Sequence, residues 1–151
     1  MQLNTKYFGV ISCPEESLLR FPCGLIGFED ETEFYLLPFE GSNNTLLCFQ
    51  SAKTPGLAFV AMNPFSLDPT YAPELSSGEL KQMGVQRSQE LAFYTLCVVK
   101  SPVGSSTLNF RCPVAVNEDT HIAMQIILDT DRYHMHHLLS EFGQKGADGS
   151  C

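Results

Sequence analysis

The segment EFYLLPFEGSNNTLLCFQSAKTPGLAFVAMN, Glu33 to Asn63, decides the fold class of this chain. It holds three short apolar runs, and the turn sequences GSNN and KTPG separate them. Glycine, proline and asparagine interrupt extended structure and allow the chain to reverse its direction. The segment therefore predicts three consecutive strands joined by tight turns.

The same pattern extends over most of the 151 residues. Further β-rich or apolar runs are TKYFGVI (5–11), LLRF (18–21), LAFYTLCVV (91–99), TLNFRCPVAVN (107–117) and HIAMQIIL (121–128). One helix is well marked, because Ser76 and Glu79 have capping-box spacing and Gly84 supplies a stop. We expect a single all-β domain, a small antiparallel barrel or sandwich-like pseudobarrel, with a short helix at about 76–83.

A second helical pattern occurs near the end of the chain. Its apolar residues fall at i, i+3, i+4 and i+7: Met135, Leu138, Leu139 and Phe142. A stripe of three turns is not stable alone in water, so we expect it to dock on the domain or on a partner. We accordingly divide the chain into a β domain, 1–133, and a C-terminal extension, 134–151, which is part helix and part loose tail.

Charge restricts the classes of partner. The chain carries 17 acidic and 9 basic residues, and its formal net charge of −8 repels phosphate backbones and anionic lipid. Direct binding to nucleic acid or to a membrane is therefore disfavoured. The excess lies in residues 21–80, where eight acids and one base give a local net charge of −7. We infer a basic protein partner.

The cysteines indicate a reducing compartment. None of the six belongs to a CxxC pair, and Cys48 and Cys97 lie inside apolar runs. This spacing favours buried, reduced thiols over disulfides or a zinc site. The opening residues MQLNTKYFGVISCPEE lack the pattern of a secretion signal, and no window has the length of a membrane span. A cytoplasmic protein is expected.

No motif marks a catalytic or cofactor site. The stretch GLIG has two glycines and leads into acids that repel phosphate, so a tight turn is preferred over a phosphate loop. The run GFEDETE lacks the order of a calcium loop. The histidines His134, His136 and His137 have no further ligand at a metal-binding spacing and favour a solvated face. We therefore predict no cofactor and no metal site, and a Ser/His/Asp or Cys/His arrangement stays open at this point.

Two segments are candidates for a partner-binding surface. In GLIGFEDETE a glycine turn would present a ring and several carboxylates at the mouth of the barrel, and in NPFSLDPTYAPEL prolines would stiffen a loop with two rings. The candidate residues are Phe28, Glu29, Asp30, Glu31, Glu33, Phe65, Asp68, Tyr71 and Glu74. A structural interpretation is equally open for each segment. Phe28 would then plug the barrel beside solvated acids, and the proline-rich loop would be a lid on the barrel end.

Four segments, in this order and at this spacing, resemble the family of the flagellar assembly factor FliW. They are NTKYFGVI, FPCGLIGFEDETEFYLLPF, CFQSAKTPGLAFVAMNPF and LNFRCPVAVNEDTHIAMQIILDTDRY, and they run from Asn4 to about Tyr133. Each motif alone is modest, and four in register are specific. Cys23 and Leu25 depart from the residues that the family more often has there, and the chain from His134 onward extends past the aligned part.

The resemblance implies a small all-β protein that is not an enzyme and that binds flagellin in the cytoplasm. When flagellin is exported, a protein of this family binds the RNA-binding regulator CsrA and lifts its repression of flagellin synthesis. The charge fits, because a partner that binds RNA through a basic surface is attracted to an acidic protein. Two other classes stay open: a small-ligand-binding β-barrel or other protein-interaction module, and a hydrolase built on a residue such as Cys23 or His121.

Overall fold

The structure, a computed structural model, describes residues 2–42 and 45–141. The strands in these ranges are β1 Gln2–Asn4, β2 Val10–Ser12, β3 Leu19–Arg20, β4 Glu33–Pro38, β5 Leu46–Ser51, β6 Ala58–Met62, β7 Ala92–Val98, β8 Thr107–Leu108, β9 Val114–Asn117, β10 Ile122–Gln125 and β11 His137–Leu138. The α-helices are α1 Pro64–Leu67 and α2 Ser77–Met83. Short 3₁₀ turns lie at Glu15–Ser17, Ser88–Glu90 and Val103–Ser105.

Seven strands close into a β-barrel. The ring runs β7, β6, β5, β4, β3, β10, β9 and closes where β9 pairs with the first half of β7. Its pairings are antiparallel except between β3 and β10, where Arg20 lies beside Ile122 in parallel register. The second half of β7 instead pairs with β8, and β11 extends that edge. The barrel predicted from the strand pattern is confirmed.

The strands β4, β5 and β6 are those predicted from the opening segment. Phe49 lies opposite Leu36 on one side and Phe59 on the other, so the three strands keep one register. Alternate residues point to opposite faces of a strand. Phe34 and Phe49 are therefore buried in the barrel interior, and Tyr35 lies on the outer face.

Two layers cover the outer face of the barrel. The β1–β2 hairpin packs Leu3 against Tyr35 of β4. On another side, residues 64–91 place Met83 in a cluster with Phe93 of β7. This second cluster gives the chain a buried core outside the barrel, and it holds the proline-rich loop in place.

The helix α2 begins and ends as predicted. The Ser76 hydroxyl accepts a hydrogen bond from the Glu79 amide, and the Glu79 carboxylate accepts one from the Ser76 amide. Gly84 ends the helix in the left-handed conformation, with φ of 73°. The capping box and the glycine stop thus determine a helix of only seven residues.

The prediction for TKYFGVI is wrong in its extent. Residues 5–9 form the turn between β1 and β2, and only the last two residues of the run belong to a strand. The Thr5 amide donates to the Gly9 carbonyl, and Gly9 has φ of 67°. The glycine permits the reversal that the alternating apolar residues do not indicate.

The prediction of one helix through Met135 and Leu138 is also wrong. His137 and Leu138 form β11 against β8, while residues 139–141 are helical and Phe142 lies outside the described residues. The amides of Phe110 and Arg111 both donate to the His134 carbonyl. Pairing with distant backbone groups prevails here over the local helical period.

The cysteines lack the lowered pKa of reactive thiols, and the helices are short. The five described cysteines are unpaired thiols, and burial raises the pKa of Cys48 to about 11 and also raises the pKa of Cys97 and Cys112. A raised pKa is the opposite of what a cysteine nucleophile needs. In the described part of the chain, none of the helices is long and apolar enough to cross a membrane.

Candidate functional site

The glycine turn between β3 and β4 is confirmed. Gly24 and Gly27 have φ of 65° and 87°. A Cβ atom on Gly24 would lie 2.6 Å from the Glu29 Cα atom and equally close to the carbonyl oxygens of Phe28 and Glu29. Leu25 and Phe28 exchange two backbone hydrogen bonds. The loop therefore folds back onto Gly24, and only glycine leaves room for this approach.

Phe28 lies at the end of the barrel, at the rim. Phe28 is 42% exposed, and its ring packs edge to face with that of Phe59 at 5.1 Å between ring centroids. Leu25, which is 2% exposed, is the residue of this loop that packs into the barrel interior. The turn thus presents an aromatic ring to solvent and places its neighbour in the core.

The acidic residues of this loop differ in their contacts. Glu31 accepts hydrogen bonds from the hydroxyls of Ser51 and Thr54, at 2.6 and 2.7 Å, and these bonds lower the pKa of its carboxyl. Glu31 therefore joins the loop to the β5–β6 turn. Glu29 and Asp30 are exposed, and Glu29 accepts one bond from the Gly27 amide.

Glu33 is the remaining acid of this loop. It is half-buried at the start of β4, opposite Arg20 of β3. Both residues also line one shallow depression at this edge of the barrel. Glu29 and Asp30 are exposed, whereas Glu31 and Glu33 are half-buried, so Glu29 and Asp30 are the most accessible acids of the loop.

The proline-rich loop packs on the outer face of the barrel. Tyr71 is 4% exposed and its hydroxyl donates to the Phe110 carbonyl at 2.6 Å, and burial raises the pKa of that hydroxyl. Phe65, on α1, is 39% exposed, and its ring contacts Tyr71 and Phe93. Tyr71 is thus a core residue of this layer, and Phe65 is the ring that solvent reaches.

Phe65, Tyr71 and Glu74 line one cavity of about 320 Å³. The side chains of Leu91 and Phe93 form an apolar part of the wall of this cavity. A second cavity of about 330 Å³ lies on the other side of Glu74. Aromatic walls with a polar rim suit an apolar side chain of a protein partner.

Asp68 does not line either of these two cavities. Its carboxylate accepts hydrogen bonds from the Thr70 amide and hydroxyl. Asp68 thus stabilises the turn after α1. Within the described ranges, no group of three or more histidine, cysteine or acidic residues is placed to hold a metal ion.

The sequence-predicted residues form two separate surfaces. The loop that carries Phe28 precedes β4, and the segment that carries Phe65 follows β6. β4 and β6 both pair antiparallel with β5 and so run in the same direction. The start of β4 and the end of β6 therefore lie at opposite ends of these strands.

Comparison with known proteins gives the family. A family model described as "FliW protein" matches residues 2–139. The chain belongs to the FliW family. The matched range includes β11, so the family pattern extends past Tyr133, where the sequence resemblance had ended.

Relatives agree over nearly the whole length. The flagellar assembly factor FliW of Shouchella clausii (strain KSM-K16) is 35% identical over 146 residues, which are 97% of this chain and 99% of the relative. That of Geobacillus sp. (strain WCH70) is 36% identical, over 92% of this chain and 95% of the relative. A crystal structure of the flagellar assembly factor FliW superposes with a TM-score of 0.85 at 34% identity, covering 92% of this chain and 96% of that one.

The sequence did not predict one acidic region of the surface. Glu15 and Glu16 line a depression together with Asp119, and Glu118 lines the cavity beside it. These residues are about one hundred positions apart, and the charge balance of residues 1–20 is zero. Only the folded barrel brings the segments together, so no local signal could have found the region.

Proposed function

We propose that this chain is a cytoplasmic flagellar assembly factor that binds flagellin. When it is free of flagellin, it binds a CsrA-like translational regulator and relieves the repression of flagellin synthesis. The observation that carries the proposal is the family match over residues 2–139. It is supported by relatives that bear the name flagellar assembly factor and align over almost their full length.

The charge of the chain supports the regulator as a partner. A net charge of −8 repels RNA and attracts the basic surface through which a regulator would bind RNA. Glu29 and Asp30 supply exposed charge beside the ring of Phe28. We propose that this rim attracts the basic partner over long range. Glu33 and the more distant Asp68 and Glu74 add to that attraction, and Glu31 fixes the shape of the loop.

The cavity beside Phe65 supports an apolar anchor. An exposed aromatic ring above a partly open apolar wall gives an interface a place to exclude water. Tyr71 lies beneath it and supports the ring of Phe65. We assign to Phe65 a direct contact with a partner and to Tyr71 an indirect role.

The packed interior disfavours a ligand-binding barrel. Phe21, Phe34 and Phe49 are fully buried inside the barrel and meet edge to face. A barrel that holds a small ligand needs an open apolar interior. The aromatic packing of these strands fills that space, and we therefore prefer the protein-binding function.

Association kinetics test the proposal with matched variants. The chain carrying Glu29→Lys and Asp30→Lys is compared with one carrying Glu40→Lys and Asp131→Lys, which has the same net charge and changes exposed acids elsewhere. Rim charges act on association rate and are screened over about 8 Å at physiological salt. The first variant should bind the regulator more slowly and with a flatter salt dependence than the control.

Two results count against this proposal. Equal rates and equal salt dependence for the two variants would remove the Glu29 rim from the interface. If the unaltered chain bound neither the regulator nor flagellin at micromolar concentration, the proposed function itself would fail.

A further inference from the structure

A cavity of about 240 Å³ opens at the end of the barrel where β9 turns into β10. Its floor consists of Leu19, Leu36 and Val116, which all belong to the cluster that fills the barrel interior. The volume lies below the roughly 300–1,000 Å³ of small-molecule pockets. The cavity therefore suits one long side chain.

The rim of this cavity is polar and negative. Glu118 and His121 lie on it beside Tyr94, and neither lysine nor arginine is among the described residues that line it. Burial and the Glu118 carboxylate together raise the pKa of the Tyr94 hydroxyl, as expected if the two groups face the same space. The neighbouring depression includes Arg20, which does not line this cavity, and His121 lines both.

The turn that carries Glu118 is held in a fixed shape. Asn117 is 6% exposed; its side-chain oxygen accepts from the amides of Asp119 and Thr120, and its side-chain nitrogen donates to the Met83 carbonyl at 2.9 Å. His121 has φ of 61° and closes the turn through a bond from its amide to the Asn117 carbonyl. A rim fixed in this way loses little freedom when a ligand binds.

We propose that this cavity is a socket for an arginine side chain of a protein partner. The aliphatic stem of the arginine packs on Leu19, Leu36 and Val116, and its guanidinium pairs with the Glu118 carboxylate. Arginine fits better than lysine because its planar fork can engage both oxygens of one carboxylate. The socket is distinct from the Phe28 rim and from the Phe65 cavity, and it does not depend on which protein supplies the arginine.

Nuclear magnetic resonance with a small probe tests the socket directly. The ¹⁵N-labelled chain is titrated with N-acetyl-arginine amide and, separately, with N-acetyl-citrulline amide, the neutral isostere. The arginine probe should give saturable shifts confined to amides near residues 116–122, with a midpoint about fivefold lower than that of citrulline. Equal midpoints for the two probes, or shifts that do not saturate, would overturn the proposal.

Three variants separate the socket from general acidity. Glu118→Gln should remove the preference for arginine over citrulline, and Asp119→Asn, the same charge change one residue away, should keep it. Ser17→Trp places a large ring on the lining and should block both probes while leaving Glu118 in place. Unchanged binding to Glu118→Gln or to Ser17→Trp, with the spectra of folded proteins, would show that the arginine binds elsewhere.

Discussion

Replacing Gly24 by alanine should destabilise the chain more than the same change at Gly27. Both glycines have positive φ, which costs an L-residue about 1–2 kcal/mol. At Gly27 the added Cβ atom meets nothing within 4 Å, so this conformational cost is the whole effect. At Gly24 it lies 2.6 Å from backbone atoms of Phe28 and Glu29, which are not able to rotate away.

The clash adds the cost of overpacking, about 1–3 kcal/mol. Gly24→Ala should therefore lose about 2–5 kcal/mol and Gly27→Ala about 1–2 kcal/mol. For a chain of this size each kcal/mol lowers Tm by about 2–4 °C. Urea unfolding followed by circular dichroism measures both, since the chain contains no tryptophan. Equal unfolding free energies for the two variants would refute the close approach of the loop to Gly24.

Three further predictions concern single features. Hydrogen bonds from Ser51 and Thr54 hold the folded pKa of Glu31 below its ordinary value of 4.5, so the stabilisation by this carboxylate is present above pH 4.5 and is lost as the pH falls through the folded pKa. The difference in unfolding free energy between the unaltered chain and Glu31→Gln should therefore shrink as the pH falls below 4.5, and a difference independent of pH would contradict this. Phe65→Ala should speed dissociation of a bound partner with little loss of stability. Tyr71→Phe should instead cost about 1 kcal/mol of stability and leave the dissociation rate unchanged, because it removes the hydrogen bond to the Phe110 carbonyl. The reverse pattern would contradict the assigned positions of the two rings. Ending the chain after Tyr133 removes β11 and its bonds to β8 and should lower Tm, and an unchanged melting curve would show that β11 does not stabilise the domain.

Local patterns predicted the parts of the fold that depend on neighbouring residues. The runs and turns of Glu33–Asn63 predicted β4 to β6, because alternation and turn chemistry act within a few residues. The capping box predicted the bounds of α2, and GLIG predicted a turn with positive φ. In each case the residues that cause the structure are close together in the sequence.

The remaining features depend on contacts between distant segments. Pairing with β8 converts His137–Leu138 to a strand, although the local period is helical. Tyr71 is buried because its ring packs on Phe110 and Tyr133, and the Phe110 carbonyl, 39 residues away, accepts a hydrogen bond from its hydroxyl. Leu25 and Phe28 are both large and apolar, and only the closed barrel decides which of them is buried. No spacing rule in one sequence contains this information.

Under the proposed function, this chain binds flagellin and a CsrA-like regulator in turn. Native mass spectrometry of the purified chain, mixed with the regulator and then with increasing flagellin from the same cell, tests it most directly. We expect a complex with each protein alone, and we expect flagellin to displace the regulator from the chain. A complex that contains all three proteins, or a chain that binds neither protein, would contradict the proposed function.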